Sequence, residues 1–135
     1  CTRDVFDEKS VFTKNELLKI AKSIASVCSQ LHRKGINHGD LYAHNILVNK
    51  TADCLLGDFG AASFYDVNSL LAHNIERVEV RAFGCLLEDV LNLVPKSEVD
   101  EQLLYKWQKL ITDCTISNVK FRLSFNEVLE KLHMF

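Results

Sequence analysis

Apolar positions recur every three or four residues in four separate stretches of this chain, and stand in unbroken threes in two short stretches between them. Leu17, Ile20, Ala21, Ile24, Val27, Cys28 and Leu31 fall on one face of a helix. Thr13-Lys-Asn-Glu16 ahead of them has the form of a capping box, in which each of the two side chains satisfies the other residue's free main-chain N–H, and Gly35 suits the terminator. Val80, Phe83, Gly84, Leu87, Val90 and Leu91 predict a second helix from about Glu76 to Leu93, apolar on more than one face as a central helix is, and stopped by Pro95. Asp100 caps a predicted third helix through Leu103, Trp107, Leu110, Ile111 and Cys114. Ser124-Phe-Asn-Glu127 is a second capping box, opening a last helix with Val128, Leu129 and Leu132 inward. Ile46-Leu47-Val48 and Cys54-Leu55-Leu56 are too short for helices, and Asn49 to Asp53 reads as a turn, so a small hairpin is predicted. Residues 1–12 are weakly patterned, and Gly57 to Asn74 has no period and reads as a loop. The pattern predicts a mainly α domain with one small β-hairpin.

Composition narrows the classes. The 135 residues, 47% hydrophobic and 25% charged, suit one globular domain over 1–135. A net charge of −2 leaves no basic footprint for nucleic acid. No apolar run is long enough for a membrane span, and CTRDVFDEKS lacks a signal-peptide layout, so no membrane association and a cytoplasmic location are expected. Five cysteines form no CxxC pair; Cys28, Cys85 and Cys114 fall on apolar helix faces, where free cysteine acts as a small hydrophobe. Oligomeric state is left open.

The candidate chemistry lies between His38 and Gly60. Asp40 follows His38-Gly39 just after a helix end, Asn45 precedes one predicted strand, and Asp58 follows the other. If the two strands pair, their outer ends converge and bring Asp58 near Asn45. A carboxylate and an amide oxygen are hard donors suited to Mg²⁺, which keeps several waters and favours phosphate as a further ligand. Asp40 then stands by as proton acceptor or hydroxyl positioner, the layout of a phosphoryl-transfer site. The bland alternative is that Asp40, Asn45 and Asp58 are simple turn residues.

His38-Gly39-Asp40-Leu41-Tyr42-Ala43-His44-Asn45 resembles the protein-kinase catalytic loop H-R-D-L-x-x-x-N, and Asp58-Phe59-Gly60 its D-F-G triplet, in order and at the family's spacing. Glu79-Val-Arg-Ala-Phe-Gly84 resembles the start of the kinase central helix, with glutamate for aspartate, and Phe121-Arg-Leu-Ser-Phe125 the R-P-S/T-F segment before the last helix. HGDLYAHNIL and GDFGAASFY are similar to bacterial kinase-like proteins attached to leucine-rich repeats, though no such repeat is present. The resemblance implies a kinase C-lobe whose cofactors are ATP and Mg²⁺. Asp40 would be the catalytic residue, Asn45 and Asp58 the metal ligands, and Asn45, Asp58 and Gly60 the cofactor-binding residues. It also implies that His38 packs and hydrogen-bonds within the loop, and that Arg122 makes a buried ion pair. The implied partners are ATP and a protein whose Ser, Thr or Tyr hydroxyl is phosphorylated.

Several features depart from the family pattern. No Gly-rich loop, strand lysine or partner glutamate precedes Thr13, so the expectation is a C-lobe without its ATP lobe, inactive alone. Gly39 replaces the arginine that would meet a loop phosphate, which predicts regulation independent of loop phosphorylation. Tyr42 stands where Ser/Thr kinases usually keep a lysine, as either a packing aromatic or a substrate contact. No A-P-E triplet follows Gly60, with Glu76 a stand-in for its glutamate, and the segment before the Trp107 helix is too short for a full substrate-docking helix. A pseudokinase scaffold and a small-molecule phosphotransferase of the aminoglycoside or choline type, whose loop often begins H-G-D, are the competing readings. His32, His44, His73 and His133 are expected at the surface, and Phe59, Phe83 and Trp107 in the core.

Overall fold

A computed structural model describes residues 12–42, 45–49 and 51–135. Among the described residues four helices carry the fold: α1 (Lys14–Arg33), α2 (Ala72–Leu91), α3 (Glu101–Thr115) and α4 (Phe125–His133). Four very short strands lie between the first two: β1 (Ile36–Asn37), β2 (Ile46–Val48), β3 (Cys54–Leu56) and β4 (Ser63–Phe64). Among the described residues no helix is long and apolar enough to cross a membrane.

Both capping boxes form. Glu16 N–H donates to Thr13 Oγ1 while Thr13 N–H donates to Glu16 Oε1, both at 3.2 Å. The Ser124–Glu127 pair repeats this at 3.1 and 3.2 Å. Asp100 Oδ1 accepts the Leu103 N–H at 2.7 Å, so the three predicted helix starts at Thr13, Asp100 and Ser124 are chemically anchored. The start of α2 differs from expectation: it begins at Ala72, a turn earlier than Glu76, and its N-cap Leu71 makes no side-chain cap. With no cap and no apolar period over its first turn, that start has no local signal. The helix ends at Leu91, ahead of Pro95.

The core is one cluster. α1 contributes Leu17, Ile20, Ile24 and Cys28; α2 contributes Val80, Phe83, Leu87 and Val90; Trp107, Leu110 and Cys114 come from α3, and Phe125, Val128 and Leu132 from α4. Two residues on the predicted α1 stripe sit differently: Val27 is exposed and Leu31 half-buried, while Ala25, Ser29 and His32 are buried in their place. α1 packs on α2 and α4, and α2 on α3. Gly84 permits the last contact, since a Cβ there would stand only 2.7 Å from Thr115 Cγ2 and 2.8 Å from Cys114 Cβ. Trp107 is fully buried, and its indole N–H reaches the Leu87 carbonyl at 3.3 Å.

β2 and β3 pair antiparallel with Ile46 opposite Leu56, Leu47 opposite Leu55 and Val48 opposite Cys54. The connecting turn is closed by Asn49, whose Oδ1 accepts from the Thr51 and Asp53 N–H groups, both at 2.9 Å. Lys19 of α1 ties the turn down through the Thr51 carbonyl at 2.7 Å and Asp53 at 2.8 Å. A second ladder was not predicted: β1 pairs antiparallel with β4, Ile36 opposite Phe64 and Asn37 opposite Ser63, and β4 lies inside the stretch expected to be loop. Two-residue strands are shorter than any period that could announce them. Residues 1–11, on which the weakly patterned stretch falls, lie outside the described residues.

Trp107→Ala removes the largest fully buried side chain and takes away the Leu87 carbonyl's side-chain donor. The expected loss is about 3–5 kcal/mol of unfolding free energy, a large part of a domain's marginal stability, read by urea titration with CD.

Candidate functional site

His38 is the hub of the site. It is fully buried, and its two ring nitrogens have distinct partners: Asp40 N–H donates to Nδ1 at 3.2 Å, and Nε2 lies 2.8 Å from the Gly57 carbonyl. An acceptor Nδ1 and a carbonyl partner on the other side assign the neutral Nε2–H tautomer. The ring therefore clamps the loop before β2 to the end of β3, the packing role expected of it.

Asn45 makes the next link. Its Nδ2 donates to the Asp40 carbonyl at 2.6 Å and to Asp40 Oδ2 at 2.9 Å, which holds the half-buried Asp40 carboxylate in one orientation. The Asn45 carbonyl accepts the Gly57 N–H at 2.8 Å, continuing the β2–β3 ladder by one rung. Gly57 thus bonds to both Asn45 and His38, and Asp58 follows it directly. The expected convergence of the strand ends occurs. Asp58 is exposed, sits at φ 51°, and accepts the Gly60 N–H on Oδ1 at 3.3 Å, capping the 3₁₀ turn Phe59–Ala61. Gly60 acts there through its main-chain N–H.

The donor set fits Mg²⁺. Both Asn45 amide hydrogens are committed to Asp40, and its Oδ1 accepts no hydrogen bond among the described residues; the same holds for Asp58 Oδ2. Two hard oxygens leave the remaining positions to waters and phosphate oxygens, as Mg²⁺ prefers. Among the described residues no group of three or more His, Cys, Asp or Glu side chains could hold a metal alone.

The loop rests on a carboxylate that sequence reading noted only as a substitution. Glu79 of α2 is buried and accepts three hydrogen bonds: from the His38 N–H at 3.0 Å, the Gly39 N–H at 2.8 Å, and His32 Nε2 at 2.8 Å. Burial alone would raise its pKa, but those donors reverse the sign and hold it below its ordinary value. His32 is thus buried, correcting the expectation that it lies at the surface. Its ring also stacks on Phe125 at 5.3 Å. The helical period could have found it, since His32 continues the face of Ala21, Ala25 and Cys28.

Further expectations are corrected or placed. Phe59 is 47% exposed rather than core, because Asp58 turns the chain outward; its ring instead meets His38 edge-on at 4.7 Å. Arg122 has no carboxylate partner among the described residues. Its guanidinium donates to the carbonyls of Ile116, Ser117 and Arg77, tying the chain just past α3 to α2. Glu76 does not meet it, being held by Arg77 Nη1 at 2.9 Å and the Phe125 N–H at 3.0 Å. Tyr42, His73 and His133 are exposed, and Phe83 and Trp107 are core. His44 lies outside the described residues.

The protein kinase domain model matches residues 2–83, a stretch that contains every residue of this site. The chain belongs to the protein kinase family. Among curated kinases it is similar to the "Probable serine/threonine-protein kinase KIN1 homolog" of Enterocytozoon bieneusi (strain H348), 26% identical over 82% of this chain and 21% of that protein. A receptor kinase of Arabidopsis thaliana named for an L-type lectin domain is 29% identical over 75% of this chain and 20% of its own length. "Serine/threonine-protein kinase US3" of Human herpesvirus 1 (strain 17) is 39% identical over 36% of this chain and 10% of its own. This kinase chain spans about a fifth of the length of the first two.

Two measurements test the loop's support. Gly39 has φ +83°, and a Cβ there would overlap the Ala61 carbonyl oxygen. Gly39→Ala is therefore expected to destabilise the kinase chain by about 1–3 kcal/mol in urea unfolding, more if Ala61 cannot retreat. Glu79's lowered pKa contributes stability that is full above its ordinary value of 4.5 and is lost as pH falls through the lowered folded value. Unfolding free energy should rise with pH across that window, and Glu79→Gln should flatten the rise; an unchanged slope would remove the carboxylate from this role.

Proposed function

We propose that residues 1–135 are the C-terminal lobe of a serine/threonine protein kinase, transferring the γ-phosphoryl group of ATP to a protein hydroxyl. The single observation that carries this reading is the Asn45 side chain holding Asp40 through two bonds while its main chain draws in Gly57, next to Asp58. Asp40 orients the acceptor hydroxyl and receives its proton, because its carboxylate is fixed by Asn45 rather than free to rotate. Asn45 Oδ1 and Asp58 Oδ2 would hold Mg²⁺, which when bound supplies charge neutralisation on the phosphates. The serine/threonine names of similar proteins support that hydroxyl class.

The site is half of what phosphoryl transfer needs. Leu47 and Leu55, directly opposite each other on the hairpin, are 63% and 70% exposed, an apolar pair with no cover among the described residues. A lobe that grips ATP from outside these residues would cover it, and without that lobe the 135 residues do not transfer phosphate. A small-molecule phosphotransferase remains the second reading on one observation: between α2 and α3 there is only the 3₁₀ turn Lys96–Glu98, which offers little surface for a docked peptide.

A phosphotransfer assay on the full-length protein containing this chain, with peptide and aminoglycoside or choline acceptors run separately, decides between the readings. Peptide phosphorylation lost by at least about a hundredfold in Asp40→Asn and Asp58→Ala is expected, against no transfer by residues 1–135 alone. Full activity in Asp40→Asn would overturn the assignment of that residue.

A further inference from the structure

The carboxylate that holds the catalytic loop is itself held from the far side. His32 Nε2 donates to Glu79, and His32 Nδ1 lies 2.6 Å from the Tyr65 hydroxyl. Tyr65 belongs to the segment that follows Asp58-Phe59-Gly60, one residue past β4. Because the ring's Nε2–H faces an ionised carboxylate, a neutral His32 offers Nδ1 as an acceptor, and the Tyr65 O–H fills it. If the ring carries both protons, the same oxygen accepts from Nδ1–H and its own O–H turns to the His32 carbonyl, 3.3 Å away. Burial, with the charges of Glu76 and Glu79, pushes the Tyr65 pKa up to about 12, so the hydroxyl keeps its proton at any physiological pH.

The main chain places this hydroxyl rigidly. Tyr65 N–H donates to the Gly35 carbonyl at 2.8 Å, and a Cβ on Gly35 would overlap the Tyr65 carbonyl oxygen. At the other end Gly39 permits the same approach to Ala61. The β1–β4 ladder runs between these two contacts. The segment from Ala61 to Tyr65 is therefore strapped along residues 35–39 by backbone bonds at sites where no side chain intervenes.

We propose that Tyr65 is a positioning residue for phosphotransfer: through His32 and Glu79 it fixes the main-chain N–H groups of His38 and Gly39, and with them Asp40. The chain of bonds links the segment after Asp58 to the loop that carries Asp40 without any phosphate or arginine between them. The proposal rests on the phosphotransfer reading only for its activity readout.

Tyr65→Phe tests it, because the ring beside His32 is kept and only the hydroxyl is lost. In the 135-residue chain, hydrogen exchange at the His38 and Gly39 amides is expected to lose about tenfold of its protection, the size of one hydrogen bond, while core amides of α3 and α4 keep theirs. The His32 Nδ1 resonance should shift with it. In the full-length protein the variant should lower kcat by about tenfold or more with KM for ATP unchanged. Unchanged protection at His38 and Gly39, or an equal loss throughout α3 and α4, overturns the proposal; so does a rise in KM for ATP at constant kcat. A full-length parent with no phosphotransfer would sink the enzymatic reading instead, leaving the amide and His32 readouts to decide the role of Tyr65.

Discussion

A single buried carboxylate holds the rest of this structure's chemistry in place. Glu79 lies on α2, the helix packed against both α1 and α3, and burial of an unpaired carboxylate would cost several kcal/mol. Three donors remove that cost: two consecutive main-chain N–H groups of the His38–Asp40 loop and one ring nitrogen from the end of α1. The arrangement works in both directions. The loop's N–H groups, which belong to no helix or strand, are satisfied only while α2 presents Glu79, so the packing of helices and the conformation at His38–Gly39 are one decision.

From that anchor the site is assembled by main-chain bonds more than by side chains. His38 clamps Gly57, Asn45 clamps Gly57 from the other side, and Asp58 is delivered next to them by the antiparallel pairing of β2 and β3. Two close approaches, Gly35 to Tyr65 and Gly39 to Ala61, bring the following segment flat against the loop. The Asp40 carboxylate and the Asn45 amide are thereby held together beside Gly57, while Leu47 and Leu55 stay exposed on the hairpin.

Much of this was legible in the residues and some was not, for identifiable reasons. Helix starts with a side-chain cap were read correctly at Thr13, Asp100 and Ser124, because cap chemistry is local. The uncapped start of α2 at Ala72 was read a turn late. The β2–β3 hairpin was legible from its apolar threes and its turn, whereas β1 and β4 were invisible, being two residues each and joined across the site. The partners of His32 and Arg122 come from distant or irregular parts of the chain, Glu79 and Tyr65 for the first and the carbonyls of Arg77, Ile116 and Ser117 for the second, whereas Phe59 was misplaced by the outward turn at Asp58.

The sequence by itself determined the family, the four helices with the caps of three of them, the hairpin, and Asp40, Asn45 and Asp58 as the candidate groups, since all of these are carried by short-range spacing. Only the tertiary structure decided how those three groups are held. The ties from His32, Glu79 and Tyr65 join residues more than thirty positions apart, and no local pattern encodes which buried donor will meet which buried acceptor. That pairing is settled when the helices pack, because each buried polar group left without a partner would cost more than the packing could return.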